Sequence, residues 1–281
     1  MTFAEIFASE FLIKIIVRAL VVGVLVSVCS AVLGVTLVLK RQSMIGDGLS
    51  HVGFLGLALA ACAGVSATLS MEISIPVVFI AAILILRLSK NEDKMNGDAA
   101  CAVVSTGAVA VGTLLYNISG GKSGDICSSL FGSASIITIS DKDMILSIIL
   151  ATVVIVWFVL SAKAIFAMTF DETFTKATGL RMTDMITTLL AILTGFTIVV
   201  GMKLMGSIMI SAMLIFPSLT AMRLTKSYKR TVILSAVISV VCFILGFFGA
   251  CVLSLQTGAA VVTVELTVFA AVCAVKALVR R

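Results

Sequence analysis

Charged residues are scarce in this sequence: they make up 12% of its 281 residues, whereas hydrophobic residues make up 60%. A soluble domain keeps about a quarter of its residues charged and cannot hide this much apolar surface from water. The mean hydropathy of +1.24 therefore excludes an ordinary soluble domain and indicates that lipid is the solvent for much of the chain. No linker separates the apolar stretches, so residues 1–281 are interpreted as one transmembrane domain.

Paired cysteines and clustered bases are also missing. The seven cysteines are scattered and form no Cys-x-x-Cys pair, which argues against a disulfide framework or a zinc cluster. The formal charge of +6 comes from bases that lie between apolar runs rather than in one patch, so no nucleic-acid partner is expected. The first ten residues carry two acids and no base, so no signal-peptide head is expected there.

A nucleotide-binding motif is missing as well. Gly120-Gly121-Lys122-Ser123 resembles the end of a phosphate-binding loop, but Tyr116 stands where that loop requires a glycine, and no strand precedes it. The chain is therefore not expected to be an enzyme. Any ATP hydrolysis that it uses must come from a separate polypeptide.

Long apolar runs fill the chain. A helix that spans the bilayer core of about 30 Å needs about 20 apolar residues, whereas barrel strands give short alternating segments. The sequence therefore predicts an all-α integral membrane protein, a polytopic helix bundle with eight or nine transmembrane helices. The segments cover approximately residues 12–39, 43–69, 73–88, 99–116, 144–162, 185–200, 205–217, 231–253 and 259–278. The seventh is short and ends at Pro217, so it could be a half-crossing, which would make the count eight.

The connecting loops predict an orientation. Bases follow the odd-numbered segments, namely Lys40, Arg41, Arg87, Lys90, Lys94, Lys163, Lys176, Arg181, Arg223, Lys226, Lys229, Arg230, Arg280 and Arg281. The alternate loops are nearly free of bases. The positive-inside rule then places the N-terminus outside the cell and the C-terminus in the cytoplasm of a multi-pass protein of the plasma membrane.

The second segment begins with the motif Gly46-Asp47-Gly48-Leu49-Ser50-His51, which contains the single histidine of the chain. Residues four apart share one face of a helix, about 6 Å from each other. Carboxylate and imidazole groups both bind zinc or manganese, so Asp47 and His51 are candidate metal ligands. If the helix starts near Ser43, His51 lies about 12 Å into the membrane, a depth at which ionisable groups usually mark an ion pathway.

Two structural alternatives stand beside the metal interpretation. Asp47, between two glycines, could cap the helix N-terminus, and His51 could bond a neighbouring carbonyl. The pair also supplies only two ligands. A homodimer that meets at this face would supply four, which is enough to close a tetrahedral site.

The stretch 39–51, which reads LKRQSMIGDGLSH, resembles the signature of the zinc and manganese ABC transporter permeases, in which an arginine precedes Gly-Asp-x-Leu-Ser-His. Further matches follow in order along nearly the whole chain. They are Leu130-Phe131-Gly132, Phe170-Asp171-Glu172 with Lys176, Ala177 and Gly179, Thr197-Ile198-Val199-Val200 with Lys203 and Gly206, Leu214-Ile215-Phe216-Pro217 with Thr220 and Ala221, and Thr257-Gly258-Ala259.

The resemblance implies roles for particular residues. Asp47 and His51 correspond to the family's metal-coordinating pair. The segment of about residues 217–226, with Pro217, Thr220, Ala221 and Arg223, corresponds to a cytoplasmic coupling helix that docks on the ATPase. The loop chemistry alone would also fit an ordinary membrane-anchoring loop.

The resemblance also implies a fold and a set of partners. The fold would be like that of a type II ABC importer. A homodimer would form the pathway, a cytoplasmic ABC ATPase would drive it, and an extracellular metal-binding lipoprotein would deliver the ion. No cofactor is bound permanently, because the metal is the transported substrate. Many manganese-type members carry a proline where this chain has Phe54-Leu55-Gly56, so zinc is favoured, with manganese or iron as alternatives.

Glu265 departs from the family pattern, because an aliphatic residue is expected midway along the last segment. A buried glutamate must pair with a base, such as Lys203 or Lys276, or take up a proton, and it could relay ions. This acid keeps open an alternative function, a stand-alone secondary metal/proton carrier, although such carriers often show internal repeats that are not seen here. A purely structural membrane scaffold is the third alternative.

Overall fold

The computed structural model describes residues 10–64, 70–90, 97–120, 141–170, 175, 183–253 and 255–279. Within these ranges nine long helices follow one another, and there is no β-strand. The helices are α1 (Glu10–Leu39), α2 (Ile45–Cys62), α3 (Ser70–Lys90), α4 (Gly97–Ile118), α5 (Asp141–Phe170), α6 (Thr183–Met205), α7 (Ser207–Leu224), α8 (Tyr228–Leu253) and α9 (Thr257–Val279). The predicted all-helical polytopic bundle is confirmed.

Eight of these helices are long and apolar enough to cross a membrane. The remaining helix is α3. Its apolar stretch covers only Ile73–Ile85, and it contains Pro76. The count of eight or nine is therefore confirmed, but the short apolar helix is the third, not the seventh.

The prediction that the seventh helix stops at Pro217 is wrong, because α7 continues through this proline to Leu224. Proline removes a backbone donor, which membrane helices tolerate where nearby hydroxyl groups and neighbouring helices satisfy the freed carbonyls. Pro217 frees the Met213 carbonyl group, and this proline is buried among the neighbouring helices. The sequence pattern of an apolar run that ends at proline does not reveal this packing.

α1 forms the centre of the bundle and packs against α5, α6, α7 and α8. Its backbone approaches α7 closely at Gly34, where a Cβ atom would lie 2.0 Å from the Leu214 carbonyl oxygen. In lipid the hydrophobic effect does not drive helices together, so close backbone approach of this kind supplies the packing energy. Only glycine fits at position 34.

The outer helices present large apolar side chains on their exposed faces. On α5 these are Ile145, Ile148, Ile149, Val153, Val156, Val159 and Leu160. A contiguous apolar surface of this size marks contact with a membrane or a partner rather than with water. It agrees with the multi-pass membrane protein that the composition predicts.

Several sequence motifs lie outside the described residues. These are Leu130-Phe131-Gly132, residues 121–123 of the rejected phosphate-loop motif, and Asp171, Glu172, Lys176, Ala177 and Gly179 of the acidic segment. The part of the second predicted segment beyond residue 64 and the side chain of Lys203 also lie outside them.

Candidate metal site

The turn between α1 and α2 positions the acid–histidine motif. Arg41 has a φ of 57°, and it ends α1 in a left-handed conformation. The Gln42 amide donates to the Leu37 carbonyl oxygen at 2.9 Å and the Arg41 amide donates to the Val38 carbonyl oxygen at 3.1 Å. These two bonds are those of a Schellman motif, which usually has glycine at the left-handed position. The chain is thereby reversed, and α2 can begin at Ile45.

Asp47 does not cap α2. The N-cap position is occupied by Met44, which makes no side-chain capping bond, and Asp47 is the third residue of the helix. A carboxylate in the first helical turn is stabilised by the helix dipole, but its oxygens remain available to a ligand. The capping alternative for Asp47 is therefore not the arrangement that the structure adopts.

Asp47 and His51 face each other across one helical turn. The His51 Nε2 atom lies 3.5 Å from the Asp47 Oδ1 atom. This separation exceeds a hydrogen bond of about 2.7–3.2 Å. Two ligand atoms that each lie about 2.1 Å from one tetrahedral ion are about 3.4 Å apart. The two side chains are therefore spaced as two ligands of one metal ion.

The other ring nitrogen of His51 also bears on its role. The Nδ1 atom is enclosed, and it has no hydrogen-bond partner among the described residues. The alternative in which His51 bonds a neighbouring carbonyl is therefore not seen in the described part of the chain. The ring is held by packing, and it is 21% exposed, whereas Asp47 is 42% exposed.

Neighbouring helices enclose α2 on the sides away from the pair. A Cβ atom at Gly46 would lie 2.7 Å from the Leu214 side chain of α7, and one at Gly56 would lie 2.7 Å from Ser74 Cα of α3. The Ser211 hydroxyl of α7 donates to the Ser50 hydroxyl of α2 at 3.3 Å. These contacts fix the rotation of α2 about its axis.

One stripe of α2 is only partly covered by the described helices, although the Cys62 Sγ atom donates to the Leu115 carbonyl oxygen of α4 at 3.0 Å. The stripe consists of side chains that are spaced three or four residues apart and that are partly or fully exposed: Asp47, His51, Leu55, Leu59 and Cys62. The candidate ligands therefore lie on this less covered side of α2, which is called its open side. They are near the N-terminal end of α2, which follows the turn from α1. In the described residues no group of three or more His, Cys, Asp or Glu side chains could hold a metal ion, so the pair offers two candidate ligands there.

The predicted coupling residues are divided between the interior and the surface. Pro217, Thr220 and Ala221 are buried in the bundle, and the Thr220 hydroxyl donates to the Phe216 carbonyl oxygen. Arg223 is exposed. The first three can therefore support the end of α7 but cannot contact a docked protein in this structure.

The surface at the α7–α8 connection contains residues that the sequence pattern did not single out. Leu224 is 50% exposed at the end of α7. α8 begins four residues later at Tyr228, and the Thr225 and Thr231 hydroxyl oxygens lie 2.7 Å apart across this turn. The connection between α7 and α8 is called the hairpin end. Its exposed bases are Arg223, Lys226, Lys229 and Arg230. The exposed Leu224 among these bases is not part of the predicted coupling set, and its position between bases is visible in the sequence.

Glu265 lies apart from the acid–histidine pair. It is one of three buried residues that are described on α9, together with Gly258 and Val261. Lys276 is exposed and lies eleven residues further along the same helix, about 16 Å away, so it does not pair with Glu265.

The fold defines a polytopic integral membrane protein. The family model of the ABC 3 transport family matches residues 12–276, and the chain belongs to this family. The resemblance that the sequence motifs indicated is therefore confirmed.

Relatives with assigned names are metal-transport membrane proteins. The chain is 30% identical to the manganese transport system membrane protein MntC of Listeria monocytogenes, over 90% of this chain and 87% of the relative. It is 27% identical to the manganese import system permease protein ScaB of Streptococcus gordonii, over 90% of each chain.

A solved structure has the same fold. It is PsaBC from Streptococcus pneumoniae in complex with Fab, which superposes with a TM-score of 0.79 at 25% identity. The match covers 96% of this chain and 93% of that one. The similarity therefore extends over the whole bundle.

Proposed function

We propose that this chain is the membrane permease of an ATP-driven importer of divalent transition-metal ions, and that Asp47 and His51 bind the ion during its passage. The observation that carries the proposal is the 3.5 Å separation of a carboxylate oxygen and an imidazole nitrogen on the open side of α2. Binding of this kind is transient, because an ion that is held too tightly cannot leave the pathway.

The open side of α2 supports a homodimer. A carboxylate and an imidazole that faced lipid at this depth would be costly, so another surface must cover them. A second copy related by a two-fold axis would place its own α2 stripe against this one, so that the two stripes cover each other. It would also supply the two missing ligands, so that one ion is held by four side chains between the copies.

Zinc and manganese are the two leading candidate substrates, and iron is a further alternative. The ligand spacing is close to the tetrahedral value of about 3.4 Å, which suits zinc. The absence of a proline at Phe54-Leu55-Gly56 also favours zinc. The named relatives, in contrast, are manganese proteins. Because both ions accept carboxylate and imidazole ligands, the proposal covers both and assigns the preference to a competition measurement.

The ATPase and the binding protein would be separate chains at opposite sides of the membrane. The α7–α8 hairpin end carries four exposed bases, Arg223, Lys226, Lys229 and Arg230. The positive-inside rule places such an end in the cytoplasm, where it can dock on an ABC ATPase. An extracellular lipoprotein would deliver the ion to the opposite side. This orientation places the N-terminus outside and the C-terminus inside.

A stand-alone secondary metal/proton carrier is the second candidate, because Glu265 provides an additional intramembrane acid. The two candidates differ in their energy source. The importer transports metal only with its ATPase and ATP, whereas a carrier would transport metal alone along a proton gradient.

The experiment is uptake of radioactive zinc and manganese into vesicles that contain the permease, its ATPase and its binding protein. We expect Asp47→Ala to lower uptake by at least about a hundredfold, because loss of even a supporting residue at a metal site costs 10–100-fold. The control is Asp98→Ala, since Asp98 is also an acid in the first turn of a helix and is exposed. Wild-type uptake in Asp47→Ala would refute the site.

A further inference from the structure

Glu265 places a carboxyl group inside the bundle on a helix that is otherwise mostly exposed. The residue is 2% exposed. Both of its carboxyl oxygens are enclosed, and neither has a hydrogen-bond partner among the described residues. An isolated buried carboxylate is so costly that such a group normally takes up a proton and becomes neutral. The metal route proposed above does not use this group.

The register of α8 and α9 places Glu265 beside Cys242. A Cβ atom at Gly246 would lie 2.5 Å from the Val261 Cα atom, which fixes the contact of these antiparallel helices. One turn further on, Glu265 and Cys242 are close enough to interact electrostatically. Cys242 is therefore the titratable described side chain that faces Glu265.

Other titratable groups on the helices around Glu265 are distant. α9 packs against α7 and α8. The remaining titratable residues that are described on these three helices lie two or more helical turns above or below Glu265. They are Arg223, Tyr228, Lys229, Arg230, Cys251, Cys273 and Lys276. None of these can neutralise the carboxyl by direct contact.

A row of hydroxyl groups leads along α8 toward Glu265. Thr231, Ser235 and Ser239 are buried and follow one another at intervals of four residues, and buried Cys242 comes three residues later. This spacing places all four on one face of the helix. The row begins near the α7–α8 hairpin end and extends for about 16 Å.

The hydroxyl row has partners at its start and an unpaired group near Glu265. The Thr231 hydroxyl oxygen lies 2.7 Å from that of Thr225, and the Ser235 hydroxyl oxygen lies 3.4 Å from that of Ser218. The Ser239 hydroxyl is enclosed and has no hydrogen-bond partner among the described residues. Side chains one turn apart are about 6 Å from each other, a gap that one water molecule bridges with two hydrogen bonds of about 2.8 Å.

We propose that Glu265 is a proton-binding site and that the hydroxyl row of α8 connects it to the membrane side at the α7–α8 hairpin end. The ligand is a proton: the carboxylate accepts it to form a neutral carboxylic acid and returns it along the same row. In the orientation of the proposed function, this side is the cytoplasm, and only that assignment rests on the proposed function. The importer would then exchange a proton with the cytoplasm at a position separate from its metal ligands.

Infrared spectroscopy of the complete transporter complex in lipid nanodiscs tests the proposal. A protonated carboxyl group gives a carbonyl band that shifts when its proton is replaced by deuterium. We expect such a band in the wild type and its loss in Glu265→Gln. Ser239→Ala retains the carboxyl group but removes a hydroxyl of the row, so it should slow the deuterium exchange of the band about tenfold.

Thr263→Val is the matched control, because the Thr263 hydroxyl is on the exposed face of α9 and donates to its own helix. It should leave the band and its exchange rate unchanged. If the band is absent in the wild type and appears in Lys203→Met, Glu265 forms an ion pair with Lys203, and the proposal is overturned. An exchange rate unaffected by Ser239→Ala would overturn the hydroxyl row. The infrared measurement needs no metal. Failure of either part therefore leaves the proposed transport function unaffected, because the uptake experiment tests that function separately.

Discussion

The hydroxyl of Ser211 in α7 donates to the hydroxyl of Ser50 in α2 at 3.3 Å, and Ser50 in turn donates to the Asp47 carbonyl oxygen at 2.8 Å. This chain of bonds joins α2, the helix of the candidate metal ligands, to α7, the helix that contains Arg223 in its last turn. Ser211 and Arg223 are twelve residues apart on α7, about 18 Å along the axis. A movement of the α7–α8 hairpin end would therefore be transmitted to Asp47 and His51 along α7 and through the contact of Ser211 with Ser50.

The first prediction concerns this contact. Ser211→Ala should lower metal uptake about 2–10-fold at an unchanged ATP hydrolysis rate, because one net hydrogen bond contributes about 0.5–1.5 kcal/mol. Uptake and hydrolysis are measured on the same vesicles. The control is Ser207→Ala, since Ser207 is a buried α7 serine whose hydroxyl has no partner among the described residues. Equal uptake in the two variants would contradict a role of the contact in coupling.

The second prediction concerns the docking surface for the ATPase. Leu224→Asp should reduce co-purification of the ATPase at least about tenfold, because it places a charge within an apolar contact. Metal binding should remain. Leu255→Asp is the control, because Leu255 is a similarly exposed leucine in the α8–α9 connection, at the other end of α8. Loss of metal binding with docking preserved would show that the coupling surface lies elsewhere.

The third prediction concerns the packing of α1. Gly34→Ala should destabilise the permease by about 1–3 kcal/mol, because the added methyl group would overlap the backbone of α7. Thermal unfolding in detergent measures the effect. Gly107→Ala is the control, since a Cβ atom at Gly107 meets no atom within 4 Å. A melting temperature unchanged in Gly34→Ala would contradict the close contact of α1 with α7.

The sequence predicted the helices well because lipid imposes a simple length and composition on each of them. It failed at Pro217, since the packing of this buried residue among the neighbouring helices allows the helix to continue. Hydropathy alone does not contain that information. The short apolar helix is likewise the third rather than the seventh, because the apolar stretch of α3 covers only Ile73–Ile85, whereas α7 continues past Pro217.

The candidate site was only partly predictable. The spacing of Asp47 and His51 predicted that they share one helix face, and the 3.5 Å separation agrees with this. Which side of α2 stays open could not be predicted, because α3 and α7 determine it through contacts such as Ser50 with Ser211. The burial of Glu265 also depends on packing, since only Gly258 and Val261 are buried with it among the residues described on α9.

The metal content of the purified complex tests the central claim most directly. The complex is loaded with zinc or manganese, freed of excess ion and measured by elemental mass spectrometry against the protein concentration. We predict one bound ion for every two permease chains in the wild type, and loss of that ion in both Asp47→Ala and His51→Ala. An ion content in these variants equal to that of the wild type would contradict a shared site built from the two side chains.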